Sequence, residues 1–134
     1  MSVEVSVVVP TYNERETLSE LVGRLHRALG GGYEVVVVDD SSPDGSADLA
    51  RELGRQYPVR VLQRPGKLGL GSAVLEGARA ASGRWVVVMD ADLSHPPEVV
   101  PQLVDAHIHP LDVAMADRDD YYIDDLVGWP HGIK

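Results

Sequence analysis

Residues 3–14 of the chain read VEVSVVVPTYNE, a short valine-rich run that passes directly into a polar segment. Because Val7, Val8 and Val9 are consecutive, both faces of such a strand would be apolar, which is typical of a parallel strand covered on its two sides. We therefore predict a buried strand over residues 3–9, with a polar loop after it at one edge of a sheet.

The same alternation continues along the chain. Apolar residues at helical spacing run from Leu18 to Leu29, and Gly30 ends this helix. The later elements are predicted as strands over 35–38, 59–62 and 85–89 and helices over 46–56, 71–81 and from Pro96-Pro97 onwards. Strands alternating with helices predict an α/β fold over residues 1–134, a Rossmann-like and mostly parallel sheet with helices on both faces.

Charge and composition narrow the function. The 134 residues hold 12 Lys and Arg against 21 Asp and Glu, a net charge of −9, and no Cys. Disulfides, thiolate zinc sites and thiol nucleophiles are therefore excluded. The negative charge disfavours nucleic acid, and a phosphate-bearing ligand would need a metal ion or local cations. With no apolar run near the ~20 residues that span a bilayer, we expect a cytoplasmic chain.

Polar residues cluster after each predicted strand, at 11–14, 39–45, 64–71 and 90–92. Ligands of open α/β sheets bind beyond these carboxyl ends. Asp90 and Asp92 follow the fourth strand directly, and paired hard oxygens suit Mg²⁺ or Mn²⁺, whose shell substrate phosphates and water complete. An isolated Asp-x-Asp is more often a helix cap or turn, but this position among other polar clusters favours the metal.

The second and third clusters leave alternatives open. Either Asp39 or Asp40 can accept hydrogen bonds from a nucleobase or a ribose hydroxyl, whereas a tight turn without any ligand explains the Ser-Ser-Pro-Asp-Gly segment after them. Lys67 lies among glycines that could contact a phosphate or simply form a flexible loop. Of the histidines, His95 beside the acid pair is the better site candidate.

Four segments together resemble family 2 glycosyltransferases, and within that family they look most like dolichol-phosphate (polyprenyl-phosphate) mannosyltransferases. The segments are VVPTYNE at 8–14, VDDSSPDG at 38–45, KLGLG at 67–71 and MDADLSHPPE at 89–98. The resemblance extends from about residue 5 to residue 118. It implies a GT-A nucleotide-sugar fold.

The resemblance also implies an activity and a set of site residues. Mannose would pass from GDP-mannose to a dolichyl or polyprenyl phosphate, with inversion and with Mg²⁺ or Mn²⁺ as cofactor. The implied residues for the nucleotide sugar are Pro10, Tyr12, Glu14, Val38, Asp40, Lys67, Asp90 and Ala91; those for the metal are Asp90 and Asp92, and those for catalysis are Asp90, Asp92 and Arg118. A lipid acceptor would bring the chain to the cytoplasmic face of a membrane.

Three other functions fit parts of the sequence. The chain could hold nucleotide sugar and metal without turnover, since members of the family continue well beyond the length seen here and the acceptor region is expected to be incomplete. It could use a UDP-sugar. A phospho-acceptor receiver domain is the weakest, because receivers carry the acid pair after their first strand and here the pair follows the second.

Overall fold

The computed structural model describes residues 3–66, 69–94, 96–105 and 114–115. The elements in chain order are β1 (Val5–Thr11), α1 (Arg15–Leu29), β2 (Tyr33–Asp39), α2 (Ser46–Leu53), β3 (Val59–Gln63), α3 (Leu70–Ala80), β4 (Trp85–Val88), α4 (Val99–Asp105) and β5 (Ala114–Met115). The strands form one sheet in the order β3-β2-β1-β4-β5, and every pairing is parallel. The predicted α/β class with a parallel sheet is confirmed.

Several boundaries differ from the sequence prediction by one to three residues, and β2, predicted over 35–38, extends from Tyr33 to Asp39. β1 continues through Pro10 to Thr11 instead of ending at residue 9. Proline is tolerated in this central strand because the pairing with β4 ends at Val8, so the proline nitrogen has no ladder bond to make on that side. α1 begins at Arg15, ahead of its apolar stripe, and α2 ends at Leu53 instead of residue 56.

The valine-rich strands are buried on both faces, as their composition predicts. On one face Val7, Val37 and their neighbours pack against apolar side chains of α1, α2 and α4. On the other face Val8, Val36 and Val38 pack against α3, whose contact residues are small. Within the residues that the structure describes, no helix combines the length and the apolar character needed to cross a membrane.

The strand order indicates which edge of the sheet can bind a ligand. From β1 the chain moves outward through β2 to β3, and it then returns to the other side of β1 to form β4 and β5. The direction of winding therefore reverses between β1 and β4. In open parallel sheets this reversal leaves a crevice at the carboxyl ends of the two strands, which is where such folds bind ligands.

A buried carboxylate stabilises the opposite edge of the sheet. Glu34 accepts hydrogen bonds from the Ser6 hydroxyl at 2.6 Å, the Ser82 backbone N–H at 2.6 Å and the Arg60 guanidinium at 3.1 Å. Burial alone would raise the pKa of Glu34, but these donors outweigh it and lower that pKa below its ordinary value of 4.5. Ionised Glu34 therefore stabilises the fold above pH 4.5, and this contribution is lost as the pH falls through the lowered pKa.

Replacing Glu34 with Gln should reduce the free energy of unfolding at pH 7 by about 1–2 kcal/mol, the scale of losing charged hydrogen bonds. The difference from wild type should shrink as the pH falls below 4.5, because the wild-type carboxylate is then also neutralised. Urea unfolding of both proteins at several pH values measures this. A difference that stays constant from pH 7 to pH 3 would contradict the assigned role of the charge.

Candidate functional site

A cleft of about 290 Å³ lies at the carboxyl edge of the sheet, at the reversal between β1 and β4. Its lining residues are Pro10, Thr11, Tyr12, Glu14, Val38, Asp40, Gly69, Leu70, Ala73, Asp90, Ala91 and Asp92. Every described residue that the sequence assigned to the nucleotide sugar or the metal is among them. Lys67, His95 and Arg118 lie outside the described residues.

The acidic loop after β4 is held in place by α1. The Thr17 hydroxyl donates a hydrogen bond of 2.6 Å to the Ala91 carbonyl. Asp92 closes a local turn by accepting from the Ser94 N–H at 2.9 Å, and Leu93 between them adopts a left-handed φ of 63°. The turn predicted as the structural alternative is therefore present, and it coexists with a carboxylate at the cleft wall.

The chemistry of the cleft fits a divalent cation shared with a ligand. Burial raises the pKa of Glu14, and the negative charges of Asp92 and Asp44 raise it further, so Glu14 and Asp92 are two acids of the cleft that repel each other when both are ionised. Within residues 3–66, 69–94 and 96–105, no group of three or more His, Asp or Glu side chains could hold an ion by itself. Asp90 and Asp92 suit a metal that takes one or two protein carboxylates and completes its shell with substrate phosphates.

The two adjacent acids at the end of β2, Asp39 and Asp40, have different surroundings. Asp39 is fully buried and accepts from the Ser42 N–H at 3.0 Å and the Ser42 hydroxyl at 2.5 Å. Its carboxylate therefore serves the turn. Asp40 lines the cleft and is the acid of this pair that can face a ligand.

The Ser-Ser-Pro-Asp-Gly segment locks the first two polar loops together. The backbone N–H groups of Asn13, Glu14 and Arg15 donate to the side chains of Ser42, Ser46 and Asp44 at 2.9, 3.1 and 3.1 Å respectively. These bonds use the N–H group of Arg15, the first residue of α1, and those of the two residues before it. The tight turn that the sequence predicted for this segment is therefore present.

Sequence reasoning missed Arg64 as a site residue. Its side chain is only 2% exposed, and Nε and Nη2 donate to the two carboxylate oxygens of Asp40 at 2.6 and 2.9 Å. This pairing raises the pKa of the guanidinium. The available signal was an arginine at the end of β3, a strand adjacent to the one that carries Asp40, but side-chain pairing between strands has no local sequence pattern.

Comparison with known sequences assigns the family. The pattern that defines glycosyl transferase family 2 matches residues 6–133. The chain belongs to this family. Membership confirms the resemblance inferred from the four sequence segments.

This family 2 chain is similar in sequence to two curated relatives. It is 53% identical over 116 residues to a dolichol-phosphate mannosyltransferase of Pyrococcus furiosus, covering 86% of the chain and 33% of the relative. It is 44% identical over 115 residues to a dolichol-phosphate mannosyltransferase of Saccharomyces cerevisiae, covering 81% of the chain and 43% of the relative. The chain thus spans less than half the length of either relative.

A solved structure supports the fold. The family 2 chain superposes on the mannosyltransferase PcManGT of Pyrobaculum calidifontis, solved in complex with GDP-Man and Mn²⁺, with a TM-score of 0.71 and 28% identity. The match covers 83% of the chain and 34% of that structure. The GT-A fold expected from the sequence is confirmed.

Proposed function

We propose that this chain forms the donor site of a metal-dependent, inverting mannosyltransferase that uses GDP-mannose and a dolichyl or polyprenyl phosphate. The observation that carries the proposal is the cleft, in which strand ends bring Tyr12, Asp40 and the Asp90-Ala91-Asp92 loop to one place. The mannosyltransferase relatives and the GDP-Man complex of a similar structure support the same donor. The acceptor places the working protein at the cytoplasmic face of a membrane.

Each end of the cleft has a distinct part in this proposal. Asp40 accepts hydrogen bonds from the nucleobase, and Tyr12, which is 38% exposed, offers an aromatic surface beside it. Asp90 and Asp92 hold the divalent cation, which when bound supplies positive charge against the donor diphosphate. Lys67 and Arg118 add cations to the phosphate side in the same proposal.

The transfer itself needs little acid-base chemistry from the protein. An acceptor phosphate is already anionic near neutral pH, so its oxygen can attack the anomeric carbon without a general base. The new bond forms to the lipid phosphate while the bond to the donor diphosphate breaks on the opposite face, and GDP leaves with the electron pair. The carboxylates of the cleft orient the donor and leave its anomeric face open to attack.

Calorimetric titration tests the donor. We expect GDP and GDP-mannose to bind in the presence of Mn²⁺ at least about tenfold more tightly than UDP, one well-placed hydrogen bond to a charged group being worth this much. An ionised Asp40 would meet two N–H donors on the guanine edge but only one on uracil, which gives the physical reason. Tighter binding of UDP would instead favour the UDP-sugar alternative.

Transfer of radiolabelled mannose from GDP-mannose into polyprenyl phosphate tests the acceptor. The label should move into the lipid phase in the presence of Mn²⁺ and stay in the aqueous phase with a chelator. Donor binding without any transfer would support the alternative in which the chain holds nucleotide and metal but does not turn over.

A further inference from the structure

The Arg64 side chain connects the loop after β2 with the loop and helix that follow β3. In addition to the two bonds from Nε and Nη2 to Asp40, Nη2 donates to the Gly69 carbonyl at 2.9 Å and Nη1 donates to the Ser72 hydroxyl. Gly69 belongs to the cleft wall, and Ser72 lies in the first turn of α3. One buried cation thus joins the acid after β2 to the loop and helix that face it.

The backbone of Arg64 strengthens the same junction. Its N–H donates to the Asp39 carbonyl at 2.8 Å, and its own carbonyl accepts from the Ser41 hydroxyl at 2.5 Å. Ser41 sits in the left-handed region with φ of 58°, which fixes the chain immediately after Asp40. Neither Arg64 nor Asp40 can move without breaking several of these bonds.

We infer that Arg64 is a positioning residue for nucleobase selection, because its two-pronged grip fixes the Asp40 carboxylate as a rigid, acceptor-only group at the end of the cleft. The inference rests on the proposed nucleotide-binding function and adds to it a residue that sets base specificity. A planar guanidinium that bonds both oxygens fixes the plane of the carboxylate, which a single ammonium cannot do.

The two bonds from Arg64 act on a buried carboxylate. The side chain of Asp40 is only 9% exposed. The two bonds from Arg64 fix the plane of this buried carboxylate, and without them the group could rotate about its Cβ–Cγ bond. Rotation would redirect the accepting oxygens, and the acceptor pattern that a ligand meets would no longer be fixed.

An acceptor-only group discriminates between bases. A carboxylate offers about four lone-pair directions, so the bonds from Arg64 do not exhaust its accepting capacity. Guanine presents an N–H and an adjacent amino group along its edge, both donors. Adenine presents an amino group beside a bare ring nitrogen, and that nitrogen would face the carboxylate oxygens and repel them. A reoriented Asp40 would tolerate adenine better.

The test is the ratio of the dissociation constants for ADP and GDP, measured in Mn²⁺ by calorimetry. Wild type should favour GDP at least tenfold. Arg64→Met should lower the ratio to about threefold or less, and Arg64→Lys should also lower it at least threefold because the ammonium keeps the charge but loses the two-pronged grip. Arg60→Met is the matched control: it removes the Arg60–Glu34 ion pair, neither residue of which lines the cleft, and should leave the ratio unchanged.

The outcomes separate the inference from the proposed function. If wild type binds neither nucleotide, the proposed function fails. If wild type favours GDP and the folded Arg64 variants keep its ratio, or if wild type binds ADP and GDP equally, the positioning role is overturned. Should Arg64→Met not fold, Arg64→Lys and Asp40→Asn decide: the inference requires a reduced ratio in both.

Discussion

Replacing Asp92 with Ala should nearly abolish the dependence of GDP binding on a divalent cation. In wild type we expect Mn²⁺ to raise GDP affinity by about 100-fold, toward the upper end of the coupling seen between two ligands of one protein. In Asp92→Ala the increase should be about threefold or less, since one of the two carboxylates proposed to hold the ion is gone. Calorimetric titration of GDP in Mn²⁺ and in chelator measures both values.

The Asp92→Ala substitution changes GDP binding both without the metal and with it. A diphosphate entering without metal meets Glu14, Asp90 and Asp92 in the cleft of a chain whose net charge is −9. Removing one of these charges weakens the repulsion and so improves metal-free binding, while the loss of a ligand weakens metal-bound binding. The two changes add, so the ratio falls more than either affinity does.

Asp48→Ala is the matched control for this experiment. Asp48 is an exposed acid on α2 that pairs with Arg51 and does not line the cleft. Its removal changes the net charge of the protein by the same amount and should leave the Mn²⁺ dependence intact. Equal GDP affinity of wild type in chelator and in Mn²⁺ would refute the metal site at Asp90 and Asp92.

Much of the fold could be predicted because its signals are local. Runs such as the four valines from Val35 to Val38 are typical of strands buried on both faces, and their alternation with helices predicts a parallel sheet. Parallel strands deliver their carboxyl ends to one edge, so the polar clusters had to meet there. That is why the predicted residues of the first, second and fourth strand ends line one cleft.

What the sequence could not assign depends on contacts between distant residues. Asp39 and Asp40 are neighbours of the same type, and nothing local indicates that Asp39 serves the turn through Ser42 while Asp40 faces the cleft. The start of α1 at Arg15 likewise involves a bond from the Arg15 N–H to Asp44 in the loop after β2, a feature that the apolar stripe beginning at Leu18 does not contain.

A large loss of stability is also expected when Gly77 in α3 is replaced. A Cβ built at this position would overlap Val8 Cγ1 and lie 3.0 Å from Val38 Cγ2. Both valines are fully buried in adjacent strands, so they cannot give way, and α3 would have to lift off the sheet. Gly77→Ala should therefore lower the free energy of unfolding by about 1–3 kcal/mol, the usual scale of overpacking, although alanine favours a helix.

Gly71 in the same helix provides a control with the opposite expected sign. A Cβ there meets no atom of the described residues within 4 Å. Gly71→Ala should leave the protein as stable or stabilise it by up to about 1 kcal/mol, because alanine loses less conformational freedom than glycine on entering a helix. Urea midpoints and slopes of the two variants measure the difference. Equal stability of the two variants would mean that α3 does not lie as close to β1 and β2 as the structure places it, and the cleft wall formed by Ala73 and Val38 would then need a different geometry.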